Sequence, residues 1–177
     1  MRRWVIALLA LGLGLGLGLA GCEMTPARGE GTPDKPPADF ALSVTVFSSP
    51  TRIAGEPEPA QDPATTPARY ILEPDGTLRA AVGPGATPET FPPIVRRVSD
   101  GQRQRLWWLT LDTAAHDPGP DAKVSSPETY RPEGTDPEAL ITVSWLGGWS
   151  AAAKPLGDGS TGRALTAELA RLAWVDQ

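Results

Sequence analysis

The chain reads as an α+β domain: a small antiparallel sheet in the order β, ββ hairpin, α, ββ hairpin, α, with two helices packed on one face and long Pro-rich loops. Three observations predict it. Two apolar runs alternate with period 2, at 40–47 and 141–145. Pro74-Asp75-Gly76 and Gly147-Gly148 each stand between strand-like segments and supply the bends of two hairpins. Two helical stretches, 100–115 and 161–174, follow strands in blocks and do not alternate with them one by one.

The elements follow in order. Phe40, Leu42, Val44 and Val46 alternate with Ala41, Ser43, Thr45 and Phe47, which gives a strand with one apolar face. Residues 48–67 contain five prolines and form a long loop. Arg69–Glu73 and Thr77–Val82 make the first hairpin, with Tyr70 and Leu72 sharing a face with Leu78, Ala80 and Val82. Residues 83–93 read as a Pro-rich connector. Ser99 and Gln102 have capping-box spacing and open a helix containing Leu106, Trp107, Trp108, Leu109 and Leu111. A Pro-rich gap covers 113–138. The second hairpin follows at 141–145 and 149–153. Ser160 or Thr161 caps the last helix, whose Leu165, Leu169 and Leu172 form a stripe. Trp145 and one of Trp107 and Trp108 belong in the core. Their adjacent indoles point about 100° apart, so the other is partly exposed. Trp149, just past the Gly-Gly turn, is the exposed aromatic.

Composition bounds the function. The 177 residues, 40% hydrophobic, suit one domain. A single Cys and a single His exclude an internal disulfide framework and the common Cys/His zinc sites. The net charge of −5 argues against nucleic acid as a partner.

The first 22 residues carry an address. Met1-Arg2-Arg3 precedes an apolar run from Trp4 to Leu19, and Leu19-Ala20-Gly21-Cys22 follows. This stretch resembles the signal peptide and lipobox of bacterial lipoproteins, with all four lipobox positions fitting. The resemblance implies cleavage between Gly21 and Cys22, acylation of Cys22, and attachment of the protein to a membrane by that lipid, facing the periplasm or the exterior. The expected organisation is a cleaved signal at 1–21, a lipidated Cys with a Pro/Gly-rich tether at 22–38, and one domain at 39–177. Removing the signal takes Arg2 and Arg3 with it and leaves 156 residues with a net charge of −7. An acidic body on an anionic bilayer stands off and does not lie down.

The element order over roughly 40–176 is similar to that of emfourin-type inhibitor domains found in some bacterial metalloprotease systems. That resemblance implies an inhibitor-like activity, although no inhibitory motif of the family maps here residue by residue.

Other motifs lead to no chemistry. Gly157-Asp158-Gly159-Ser160-Thr161-Gly162 has the dinucleotide-binding spacing, but only 15 residues follow, without a second parallel strand or ribose-binding acid. As a nucleophile elbow it lacks the first Gly, and His116 precedes Ser160. His116, Asp117 and Asp121 offer a metal too few ligands. Glu56, Glu58 and Asp62 read as solvating loop charges. The expectation is a non-enzymatic binding domain with no cofactor and no metal, its partner an envelope protein or polymer. Trp149, Trp108, Arg96 and Arg97 form the candidate binding surface. A small envelope enzyme using carboxylates and a Ser or Thr is the further alternative.

Overall fold

The structure is a computed structural model and describes residues 33–48, 62–116, 124 and 126–173. Six strands and two helices occur in the order β1 (Ala41–Phe47), β2 (Ala68–Leu72), β3 (Thr77–Val82), β4 (Ile94–Arg97), α1 (Asp100–His116), β5 (Glu138–Trp145), β6 (Gly148–Pro155) and α2 (Thr161–Ala173). The strands form one sheet in the order β4-β3-β2-β1-β5-β6, and every neighbouring pair is antiparallel. This is the α+β architecture that the sequence predicts.

Alternation fixes the core. Leu42, Val44 and Val46 of β1 stand opposite Leu72, Tyr70 and Ala68 on one side, and opposite Val143, Ile141 and Ala139 on the other. All nine are buried on the helix-covered face. A slip by one residue would expose the whole row, so the register is strongly specified. From α1 come Leu106, Trp107 and Leu111, and from α2 Leu165, Leu169, Ala170 and Leu172. Trp107 is fully buried and meets Phe40 and Trp145 edge-on, with centroids 5.1 and 5.2 Å away. Trp108 is half-buried at the margin, as adjacent helical positions require.

Local signals act as read. The Ser99 hydroxyl accepts the Gln102 N–H at 3.3 Å, and Gln102 Oε1 accepts the Ser99 N–H at 2.8 Å, closing the capping box. Gly76 takes φ +86° in the first hairpin turn, where the Asp75 carboxylate accepts the Thr77 N–H at 2.9 Å.

Four expectations are corrected. Val82 shares the face of Leu78 and Ala80, as read, but it is 49% exposed, because it lies at the end of the row, opposite Ala68. The 83–93 connector leads into a strand, β4, that has no apolar alternation and is defined by pairing with β3. The second hairpin is longer than read, since β5 begins at Glu138 and β6 runs on to Pro155. Ordered structure also begins before Asp39. The carbonyls of Pro33, Asp34 and Pro37 accept bonds from Trp107 Nε1 at 3.0 Å, Gln104 Nε2 at 2.8 Å and Arg103 Nη2 at 2.6 Å. Residues 33–38, placed with the tether by their composition, therefore form a strap along α1.

Candidate functional site

The structure separates the four folded residues proposed as a binding surface. Arg96 and Arg97 lie on β4 and Trp149 on β6, at opposite edges of the sheet and about five strand spacings, or ~24 Å, apart. Trp108 packs on the core from α1. They do not form one patch. Gly21, Cys22, Glu56, Glu58, Asp117, Asp121 and Trp174 lie outside the described residues.

Four arginines stand close in sequence, Arg96, Arg97, Arg103 and Arg105, and three of them serve the fold. Arg96 Nη1 donates to the Leu172 carbonyl at 3.0 Å, satisfying an acceptor in the last turn of α2. Arg103 clasps the strap and sits 6.0 Å from the centre of the Phe40 ring. Arg105 pairs at 3.3 Å with Glu168, a carboxylate only 5% exposed that Arg171 also grips with two bonds, at 2.9 and 2.6 Å. Arg97 is exposed, as are Arg96 and Arg105, and its charge stands near the Asp75 carboxylate.

Ser160, the nucleophile-like residue, is an N-cap. Its Oγ accepts the Arg163 N–H at 3.1 Å and donates to the Pro155 carbonyl at 3.2 Å. Arg163 pairs with Asp62, and with Asp158 at 3.1 Å, so the glycine-rich loop is tied to a loop far back in the chain. Among the described residues no group of three or more His, Cys, Asp or Glu side chains is placed to hold a metal ion. No helix among them is long and apolar enough to cross a membrane.

Two features stand out instead. One is a cleft of about 240 Å³ at the end of the sheet where β1 finishes. Val46, Phe47, Pro67 and Pro88 give it an apolar lining, and Arg131 and Asp136 charge its rim. Phe47 meets Tyr130 edge-on at 5.7 Å. The Tyr130 hydroxyl donates to Glu138 Oε1 at 2.5 Å; burial, then the adjacent Glu138, pushes that phenol up. Arg131 bonds Glu89 at 2.8 Å, and this bond, with one to Thr87, holds the Glu89 carboxyl down at about 2. Beside the cleft, on the sheet face away from the helices, Arg69 Nη1 donates to Thr45 Oγ1 at 2.5 Å, while Arg69 Nε and Ser43 Oγ have no hydrogen-bond partner. Burial lowers the Arg69 pKa. Four segments separate in sequence build this cleft, 46–48, Pro67, 84–88 and 131–136. Proline density in 83–93 and 127–137 was the one sequence signal available for it.

The other feature is the β5–β6 turn, at the opposite end of β5. Leu146 has φ +49° and Gly147 φ +74°, as in a type I′ turn. Leu146 and Trp149 are 60% and 54% exposed. Asp39 Oδ2 accepts the Gly147 N–H at 3.0 Å. Bonds from the Leu146 and Gly147 backbone hold the Asp39 carboxyl below its usual range.

Compared with known proteins, the chain matches no family model, no curated protein and no solved structure.

Proposed function

We propose that this chain is a bacterial envelope lipoprotein whose folded domain is a non-enzymatic binding module held to a membrane through acylated Cys22. One observation carries the address: a basic start, an apolar run and Leu19-Ala20-Gly21-Cys22 stand in the order that lipoprotein export and acylation require. Acyl chains on one Cys and its amine hold a protein to a bilayer lastingly, since each buried methylene contributes about 0.8 kcal/mol. Labelled palmitate should enter the wild-type protein in a bacterial host, and Cys22→Ala should abolish the label and release the protein from membranes. Label retained in Cys22→Ala overturns the reading.

The cleft beside Phe47 and Arg131 supports the binding part. An apolar lining with a charged rim suits an extended segment of an envelope protein. Affinity capture of the acylated protein from its native envelope should yield a partner that Arg131→Ala loses. Arg131 is largely exposed, so its removal leaves the core intact. Equal capture by both proteins removes the cleft from the account.

The element order favours a second reading, an inhibitor-like module. Under it, the purified protein slows a secreted metalloprotease; no slowing at high concentration removes it.

A further inference from the structure

We propose that the β5–β6 turn is a membrane-contact tip: Leu146 and Trp149 seat in the boundary between headgroups and acyl chains of the bilayer that holds the lipid on Cys22. The inference rests on the lipoprotein reading and adds to it a fixed orientation of the domain.

The turn itself is unusual. Type I′ geometry calls for Asn, Asp or Gly at both central positions, because a side chain with φ near +50° crowds its own backbone. The first position here is Leu146, a branched apolar residue that gains no compensating burial, being 60% exposed. Strain of this kind points from an observed outlier to a function. Trp149, three residues on, is 54% exposed on the edge strand. An indole combines a large apolar body with one polar N–H, the combination that favours the membrane interface.

The charge pattern agrees. From Ala139 to Ala153 the sequence has no charged side chain, in a chain that is 21% charged. A domain of net negative charge is repelled by an anionic surface, so a segment without charged side chains of its own is the part that can touch it. The exposed Asp39 carboxylate beside the turn accepts the Gly147 N–H at 3.0 Å, which fixes the turn to the start of β1.

The tether leads to the same side. Pro33 is bonded to Trp107, Trp107 lies against Trp145, and Trp145 directly precedes Leu146. Ten residues lie between Cys22 and Pro33, eleven steps of chain with a reach of at most ~40 Å. The described chain thus starts near the Trp145 end of β5, from which Cys22 is within that reach, and the cleft beside Phe47 is at the other end of the sheet.

The test uses the full acylated protein in vesicles of phosphatidylethanolamine and phosphatidylglycerol, with and without bromine on the acyl chains. Bromine should quench part of the tryptophan emission, and Trp149→Phe should lose most of that quenching. Leu146→Asn should weaken the quenching while raising stability, because Asn fits the left-handed backbone better. That opposite movement is not expected of a residue kept only for folding. Equal quenching in wild type and Trp149→Phe, with intact mass confirming acylation, overturns the tip and leaves the lipoprotein reading standing. A mass without added acyl groups overturns both. Trp149 emission that shifts with protein concentration in detergent, or an envelope protein captured through Trp149 in detergent, assigns the turn to a second copy or a protein partner and overturns the lipid contact.

Discussion

Trp107→Phe asks whether the strap is fastened to the core through one indole. Trp107 is fully buried, touches Phe40 and Trp145 edge-on, and donates Nε1–H to Pro33. Phe keeps a ring but loses the N–H and about two methylenes' worth of apolar bulk, roughly 1.5–2 kcal/mol. The lost hydrogen bond adds about 1 kcal/mol. The sum, about 3 kcal/mol, lies at the lower edge of the 3–5 kcal/mol typical of Trp→Ala in a core. Urea unfolding of the mature chain measures the total. Amide hydrogen exchange over 33–38 measures the strap, which opens locally at lower cost than the core. Leu111→Ala is the comparison, at a fully buried site on the same helix, with an expected cost of about 2–5 kcal/mol. Exchange in the strap should accelerate far more in Trp107→Phe than in Leu111→Ala. Equal acceleration, or a Trp107→Phe cost below about 1 kcal/mol, refutes the reasoning.

Gly76→Ala should lower the Tm by about 2–8 °C, from a cost of roughly 1–2 kcal/mol for a side chain in the left-handed region. The new Cβ would also stand 3.3 Å from the Val98 carbonyl. Acid should weaken the fold through Glu89. Its folded pKa of about 2 lies below the ordinary 4.5, so its contribution is complete above pH 4.5 and is lost as pH falls toward 2. Asp39 and Asp75, both lowered, act in the same sense. Glu89→Gln should flatten the drop in a urea series between these pH values. Removing both Arg105 and Arg171 should cost about 1–3 kcal/mol and more than Glu168→Gln, because a buried carboxylate is then left unpaired. A Glu168→Gln cost equal to that of the double variant in chemical unfolding contradicts this.

Local chemistry was legible where its partner lay within a few residues. The strand at 41–47, the Pro74-Asp75-Gly76 bend and the Ser99–Gln102 box each declare themselves through spacing, and each is in the fold. The pieces that were not legible depend on distant partners. Ile94-Val95-Arg96-Arg97 has no buried alternation of its own; β3 supplies its pairing, and Leu172, 76 residues on, takes up Arg96. The strap shows the same limit. Its prolines lack N–H donors, which is why its composition reads as a tether. The carbonyls of Pro33, Asp34 and Pro37 still accept, and Trp107, Gln104 and Arg103 of α1 donate to them.

That asymmetry also explains why the basic cluster and the exposed Trp exchange standing. In sequence, Arg96, Arg97, Arg103 and Arg105 stand close together and read as a solvated helix entry or as a contact for phosphate or an acidic partner. In the fold, three of these guanidinium groups close the protein's own acceptors: an α2 carbonyl, the strap and the buried Glu168. A guanidinium already bonded within the protein has less to offer a ligand, since binding must first replace those bonds. Trp149 has the opposite history. Neither its neighbours nor its strand buries it, and the turn beside it holds a leucine in a conformation that leucine disfavours. Packing within the protein does not account for that combination. The exposed indole and the strained leucine beside it are what the proposed bilayer contact rests on.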